Sequence, residues 1–320
     1  MAGFRRTLAL LATKKGRQPS AGLVSASRNV QIRGLSSSSG KSSVESNNTC
    51  LVGWEVDENT KVGTITLQSP ESFNALTMEM AAAFHNTITQ IRHDLTEGKQ
   101  NVNSIVLMGA GDKAFSAGGN VAWLKSLRHN TIPENEALML NFYQSFLCIR
   151  KVPVPVVAAL QGPAVGAGCC LALACDLRVA AAHKAAILGF TFSRLGIHSG
   201  MGGSHLLQQV LPQTALSNEL LLTGKTIGGE EALRLGLVNA VSTDPKEKAR
   251  QLAIEIANQN PMAIRTMITT LRYQQDKGLD EALRLEAKAQ AVCYSRNDWG
   301  EGVDAAIEKR EPVFDDYHLT

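Results

Sequence analysis

The chain has 320 residues, 44% of them hydrophobic and 19% charged, a balance that excludes disorder as its main state and leaves ample length for a large core. The formal charge of +3 sits at the start of the chain, where residues 1–35 hold seven Lys or Arg (Arg5, Arg6, Lys14, Lys15, Arg17, Arg28 and Arg33) and no Asp or Glu. Taking 7 from +3 leaves a body at −4, and that charge gives no case for a nucleic-acid partner.

The leader is rich in Arg and Ser, its first acidic residue is Glu45, and Phe4, Leu8 and Leu11 share one face of a short helix. This is the composition of an organellar transit peptide. Arg33-Gly34-Leu35-Ser36-Ser37 resembles a mitochondrial processing site, so the expected location is the mitochondrial matrix, with the plastid as the alternative. No uninterrupted apolar core follows the basic start, which argues against a secretory signal.

After a Ser-rich linker, Val52–Val56 and Lys61–Leu67 read as strands joined at Asp57-Glu58-Asn59-Thr60. Met80, Phe84, Ile88 and Ile91 predict a helix from about Thr77 to His93, and Ser104–Met108 reads as a buried parallel strand. A helix over Pro133–Arg150 and a strand over Val154–Leu160 follow. The 24 uncharged residues from Val152 to Cys175 are long enough to span a bilayer, but Pro153, Pro155, Gln161, Gly162 and Pro163 break any helix in their first half. They read as strand, turn and small-residue helix (Cys169–Ala174), with no membrane span. Leu177–Ala181 is strand-like. Helices are then expected at Leu206–Val210, Ala215–Leu222, Glu230–Leu235, Lys246–Asn258 and Pro261–Asp276. Strands alternating with helices up to about residue 240, then helices alone, predict an α/β core with a helical C-terminal part.

Six cysteines without a C-x-x-C pair argue against zinc ribbons and thioredoxin-like chemistry, and no metal site is expected. Two glycine-rich turns each follow a predicted buried strand: Phe115-Ser116-Ala117-Gly118-Gly119-Asn120 and Gly162-Pro163-Ala164-Val165-Gly166-Ala167-Gly168. Such turns let a ligand approach the backbone and aim N–H groups at it, as a phosphate site or as an oxyanion hole for a polarised carbonyl. Neither fits G-x-x-x-x-G-K-[ST] or G-x-G-x-x-G, which disfavours the usual nucleotide sites.

These turns, with Pro70-Glu71-Ser72-Phe73-Asn74-Ala75-Leu76, Ala174-Cys175-Asp176-Leu177, Leu195-Gly196-Ile197, Gly202-Gly203, Leu222-Thr223-Gly224, Leu235-Gly236-Leu237-Val238 and Glu308-Lys309-Arg310-Glu311-Pro312-Val313-Phe314, resemble the enoyl-CoA hydratase/isomerase (crotonase) superfamily over most of Val52–Phe314. The resemblance implies a spiral of ββα units, a helical C-terminal trimerisation region, homotrimers that pair into hexamers, and an acyl-CoA thioester as substrate. Coenzyme A then enters as part of the substrate, with no separate cofactor. It places the oxyanion-hole N–H groups on Gly119 and Ala167, and substrate contacts on Ser72, Ala117, Gly118, Gly166, Cys170, Phe192 and Lys309. The implied organisation is a leader and linker over 1–46, a core over 47–240 and a helical region over 241–320.

The chain also departs from the family. The two glutamates that hydratases use as acid and base align with Cys170 and Phe192, and a third carboxylate position of isomerases aligns with Gly200. The nearest imidazole is His198, a candidate acid or base whose plainer reading, a loop histidine bonded to the backbone, is the favoured one. Asn120 reads as loop-shaping, Asp176 as capping or orienting the helix–strand junction, and His205 as structural. An enoyl-CoA hydratase/isomerase family enzyme is the reading that fits best. A different enolate reaction (decarboxylation, double-bond shift, thioester hydrolysis) and a silent CoA-binding or structural subunit are the alternatives. Deleting residues 1–35 is expected to leave a folded protein that fluorescence microscopy no longer finds in the organelle; continued delivery would contradict the transit-peptide reading.

Overall fold

A computed structural model of the protein describes residues 50–315 apart from 212 and 309, so the expected transit peptide and Lys309 lie outside the described residues. Val52–Asp57 (β1) and Val62–Leu67 (β2) pair antiparallel across a turn in which the Asp57 carboxylate accepts the N–H groups of Asn59 and Thr60. Met78–Thr96 (α1) is capped by the Thr77 hydroxyl, which accepts from Met80 N. Ser104–Gly109 (β3), Val121–Ser126 (α2) and Ile132–Leu147 (α3) follow; Asn120 caps α2, as its loop-shaping role predicts. Then come Val156–Leu160 (β4), Ala164–Val165 (β5), Ala167–Ala174 (α4), Leu177–Ala181 (β6) and Ile187–Gly189 (β7). Gly203–Val210 (α5), Thr214–Thr223 (α6), Thr226–Gly228 (β8), Gly229–Leu235 (α7) and Ala240–Ser242 (β9) lead to Pro245–Ala257 (α8), Pro261–Gln275 (α9), Leu279–Tyr294 (α10) and Asn297–Glu308 (α11).

The main sheet runs β1-β2-β3-β4-β6-β9, parallel throughout except at β1–β2, and β5-β7-β8 form a smaller sheet. Both faces of the main sheet are covered, which explains the unbroken apolar runs of β3 and β4. Ile105, Leu107, Ala158 and Leu160 pack into the large core with Phe84, Ile88 and Ile91 of α1. The alternate residues Val106, Val157 and Ala159 pack on Ala249, Ala253 and Ala257 of α8. A helix with alanine every fourth residue can lie close on such a sheet. The fold is the expected α/β class with a helical C-terminal part. No helix among the described residues is long and apolar enough to cross a membrane.

The strand β4 is anchored by a buried ion pair that the sequence marks only as a junction. Arg272 of α9 grips Asp176 through two hydrogen bonds, from Nε to Oδ1 (2.9 Å) and from Nη2 to Oδ2, while its Nη1 donates to the carbonyls of Arg150 and Val152. The Asp176 carboxylate also accepts Val156 N at 2.7 Å. Removing one partner strands the other charge away from water. Asp176→Asn is therefore expected to cost about 3–5 kcal/mol in urea unfolding, against under about 1 kcal/mol for an exposed pair; a loss in the exposed range would contradict this anchoring role.

Candidate active site

The two glycine-rich turns are joined by their backbones. Phe115 N and Ser116 N both donate to Pro163 O (3.1 and 3.2 Å), and Val165 N donates back to Ser116 O at 3.1 Å. Such proximity leaves no room for side chains between the turns. Gly118 has φ +85°, and a Cβ there would collide with Val165 O. Gly166, with φ +54° and ψ −123°, occupies backbone space that side-chain-bearing residues avoid, and it sends the chain into α4 at Ala167. The helix thus begins two residues before the expected Cys169, which puts Ala167 in its first turn, where N–H groups have no helical partner.

The first turn is oriented from its other side. Leu76 N donates to Gly118 O (2.8 Å) and Asn120 N to Leu76 O (2.9 Å), a parallel bridge centred on Gly119. In that geometry the N–H of Gly119 points away from Leu76. No hydrogen bond among the described residues takes up the N–H of Gly119 or of Ala167. Both residues line one largely apolar cavity of about 60 Å³, together with Ala117, Gly118 and Gly166. Two preorganised, unspent N–H donors beside an apolar chamber form an arrangement suited to holding a developing oxyanion.

Phe192 lines the cavity, 7% exposed, near the Gly166 turn. Cys170 does not. It is fully buried one helical turn into α4, its Sγ crowded beneath Gly203, and burial holds its thiol well above the usual range. Cys170 is therefore packing rather than a substrate contact, and a protonated thiol is no base. His198 is likewise displaced from its expected role. It is exposed, its Nδ1 lies 2.6 Å from Ser199 O, and it is absent from the cavity wall, since the loop turns Ile197, Gly200 and Met201 inward instead. Ser72 lies on the loop after β2, its hydroxyl donating to Ser69 O at 3.1 Å, and it too is outside the wall.

What the sequence did not suggest is a phenol. Tyr143 of α3 is 1% exposed, reaches the cavity wall, and donates its hydroxyl to Gln290 Oε1 of α10 at 2.5 Å. Gln290 is itself fixed by donating to His198 O (2.7 Å). The Tyr143 hydroxyl fills the space in front of Gly200, where a Cβ would sit 2.5 Å from it. Position 200 is thus closed to any side chain by the phenol. Burial, with the neighbouring Tyr294 and Glu286 adding to it, pushes the Tyr143 pKa well above 10, so the hydroxyl is a hydrogen-bond donor at any physiological pH. Its one sequence signal was a tyrosine on an apolar helix face, whose hydroxyl needs a partner.

No Asp or Glu lines the cavity. The nearby carboxyl of Glu286 is turned to the loop instead, accepting Gly202 N (2.7 Å), Ser204 N (2.8 Å) and the Ser204 hydroxyl (2.6 Å) at the start of α5. The chamber therefore offers oxyanion donors and two buried phenols, Tyr143 and Tyr294, without a carboxylate base.

The sequence model of the enoyl-CoA hydratase/isomerase family matches residues 57–317. A short-chain-enoyl-CoA hydratase of Clostridium acetobutylicum is 32% identical over 78% of this chain and 93% of its own length. A crotonyl-CoA hydratase of Syntrophomonas wolfei is 30% identical over 81% of this chain and 96% of its own. The crystal structure of an enoyl-CoA hydratase/isomerase from Mycobacterium paratuberculosis superposes with a TM-score of 0.71 at 25% identity, covering 81% of this chain and 99% of that one.

Proposed function

This chain belongs to the enoyl-CoA hydratase/isomerase family and has its crotonase fold, and from that premise we propose that it binds acyl-CoA thioesters with the acyl carbonyl on the N–H groups of Gly119 and Ala167. There the charge that develops when the α-carbon becomes enolate-like meets two fixed donors, each commonly worth about a hundred- to a thousandfold in rate. The observation that carries this reading is the convergence of two unspent backbone donors on a cavity whose wall holds two phenols and no carboxylate. A purely structural subunit needs no such arrangement.

Both positions that carry the family's acid and base glutamates hold other residues here, Cys170 and Phe192. Hydration needs a base to activate water, and the chamber has none. A reaction that forms the enolate without a base suits it better. Decarboxylation of a malonyl-type thioester breaks the Cα–carboxylate bond, releases CO2 and leaves the electron pair in the enolate. Tyr143 then turns its O–H from Gln290 Oε1 into the chamber and delivers the proton to the α-carbon, and water that enters as the product leaves returns a proton to the phenolate. The acid-without-base composition of the wall favours this reading over hydration.

The supporting setting is a mitochondrial enzyme of acyl-CoA and fatty acid metabolism, read from the Arg- and Ser-rich leader. Trimers, or trimers paired into hexamers, suit the exposed apolar side chains of α9, among them Met262, Met267 and Tyr273. Lys309 is proposed to reach the nucleotide end of CoA.

Crotonyl-CoA hydration by the native protein is expected to be slower than by a two-glutamate homologue by about a hundredfold or more. Tyr143→Phe should lower kcat for malonyl-type decarboxylation by about a hundred- to ten-thousandfold with little change in KM, while His198→Ala leaves both intact. Fast native hydration, or full decarboxylation by Tyr143→Phe, would overturn the assignment of the proton to this phenol.

A further inference from the structure

At the far end of α4 from Ala167 lies a second, polar crevice of about 160 Å³. Its wall includes Arg150, Asp176, Arg178, Gln209 and Gln275. Both arginines work on the C-terminus of α4, whose carbonyls lack helical partners. Arg150 Nη1 donates to Ala174 O (3.2 Å), and Arg178 Nη1 donates to Cys175 O (2.8 Å) and Ala172 O (3.4 Å).

The two guanidiniums differ in how their charge is met. Arg150 is paired with Asp276 (Nε to Oδ1, 2.6 Å) and Arg272 with Asp176. Arg178 is 6% exposed, donates Nε to Leu237 O at 2.8 Å, and has no carboxylate within ion-pair distance among the described residues. Its Nη2 has no hydrogen-bond partner among them either. Of the two guanidiniums in the crevice wall, Arg150 is thus paired with Asp276 behind it, the wall carboxylate of Asp176 is taken by Arg272, and Arg178 is left without a carboxylate. Burial pulls the pKa of Arg178 below its ordinary value, as expected of a cation short of compensation. Gln275 accepts from Arg150 through Oε1 (3.1 Å), which turns its amide N–H groups to other partners, and the Gln209 amide stands at the rim. The Arg178 charge is met by carbonyl dipoles alone, and arginine's fork matches tetrahedral oxyanions.

We propose that this crevice is an anion site for a small tetrahedral oxyanion of the inorganic phosphate class, bound by Arg178 Nη2 with the Gln275 and Gln209 amides. Occupancy would neutralise the surplus charge and hold the two guanidiniums against the end of α4, and so steady the helix that presents Ala167 at its other end.

Thermal unfolding of the full-length chain tests this, with phosphate titrated against chloride at constant ionic strength. A saturable rise is expected, of about 5 °C at a hundredfold excess over Kd, with none from chloride. Arg178→Met should abolish it. Since that variant can fail to fold, Gln209→Glu is the second arm: a carboxylate at the exposed rim should supply the missing charge, raise the midpoint without phosphate, and weaken phosphate binding at least about tenfold. A linear, unsaturable rise shared by Gln209→Glu would mark general ion exclusion and overturn the site. So would the absence of any phosphate-specific shift in the native protein.

Discussion

Three backbone hydrogen bonds, from Phe115, Ser116 and Val165 across two turns, hold the rest of the site in place. They fix the Gly119 and Ala167 N–H groups on one chamber although the two residues come from separate strand–helix connections. That proximity dictates the local composition. Gly118 must be glycine because Val165 O stands where its Cβ would be, and Gly168 because Ser116 O lies 2.6 Å from the same point. The small side chains of α4 let a fully buried helix lie close to the first turn. The main sheet and α8 provide the rigid backing, and the Arg272–Asp176 pair ties the C-terminal helices to the strand that leads into the second turn.

The chemistry follows from what this frame lacks. An oxyanion hole is a backbone property and survives almost any change of side chain, whereas proton transfer depends on individual groups. Here those groups are a phenol whose pKa is raised by burial, a glutamine whose Oε1 accepts its hydrogen bond, and an aromatic ring at 192. A largely apolar wall also strengthens the two N–H donors, since it offers few other polar groups to compete for the oxyanion. On the reading proposed here, the same frame stabilises a thioester enolate while changing the reaction that forms it.

How far this was legible in the sequence depended on the range of each interaction. The hairpin of β1 and β2, the amphipathic α1 and the all-apolar β3 and β4 are local patterns and appeared at their expected places. The two turns were visible as glycine-rich segments, and the family resemblance placed their N–H groups. The Tyr143–Gln290 contact joins residues 147 apart and leaves no periodic trace, so it was invisible. His198 was chosen as the nearest imidazole along the chain, but nearness in sequence does not fix which side of a loop faces inward. Helices α10 and α11 were expected only as part of a helical region, because polar residues interrupt their apolar faces. Cys170 shared the motif of the second turn, yet its position one turn into the helix aims it at Gly203 and away from the chamber.

The central claim is that Gly119 and Ala167 together polarise an acyl carbonyl. The stretching frequency of a 13C-labelled thioester carbonyl, measured by isotope-edited infrared difference spectroscopy for a non-reactive acyl-CoA bound to the protein, reads that polarisation directly. Two short hydrogen bonds against a largely apolar wall predict a marked shift to lower frequency than for the same thioester in water, retained in Tyr143→Phe. A bound carbonyl that absorbs at or above its aqueous frequency would contradict the account.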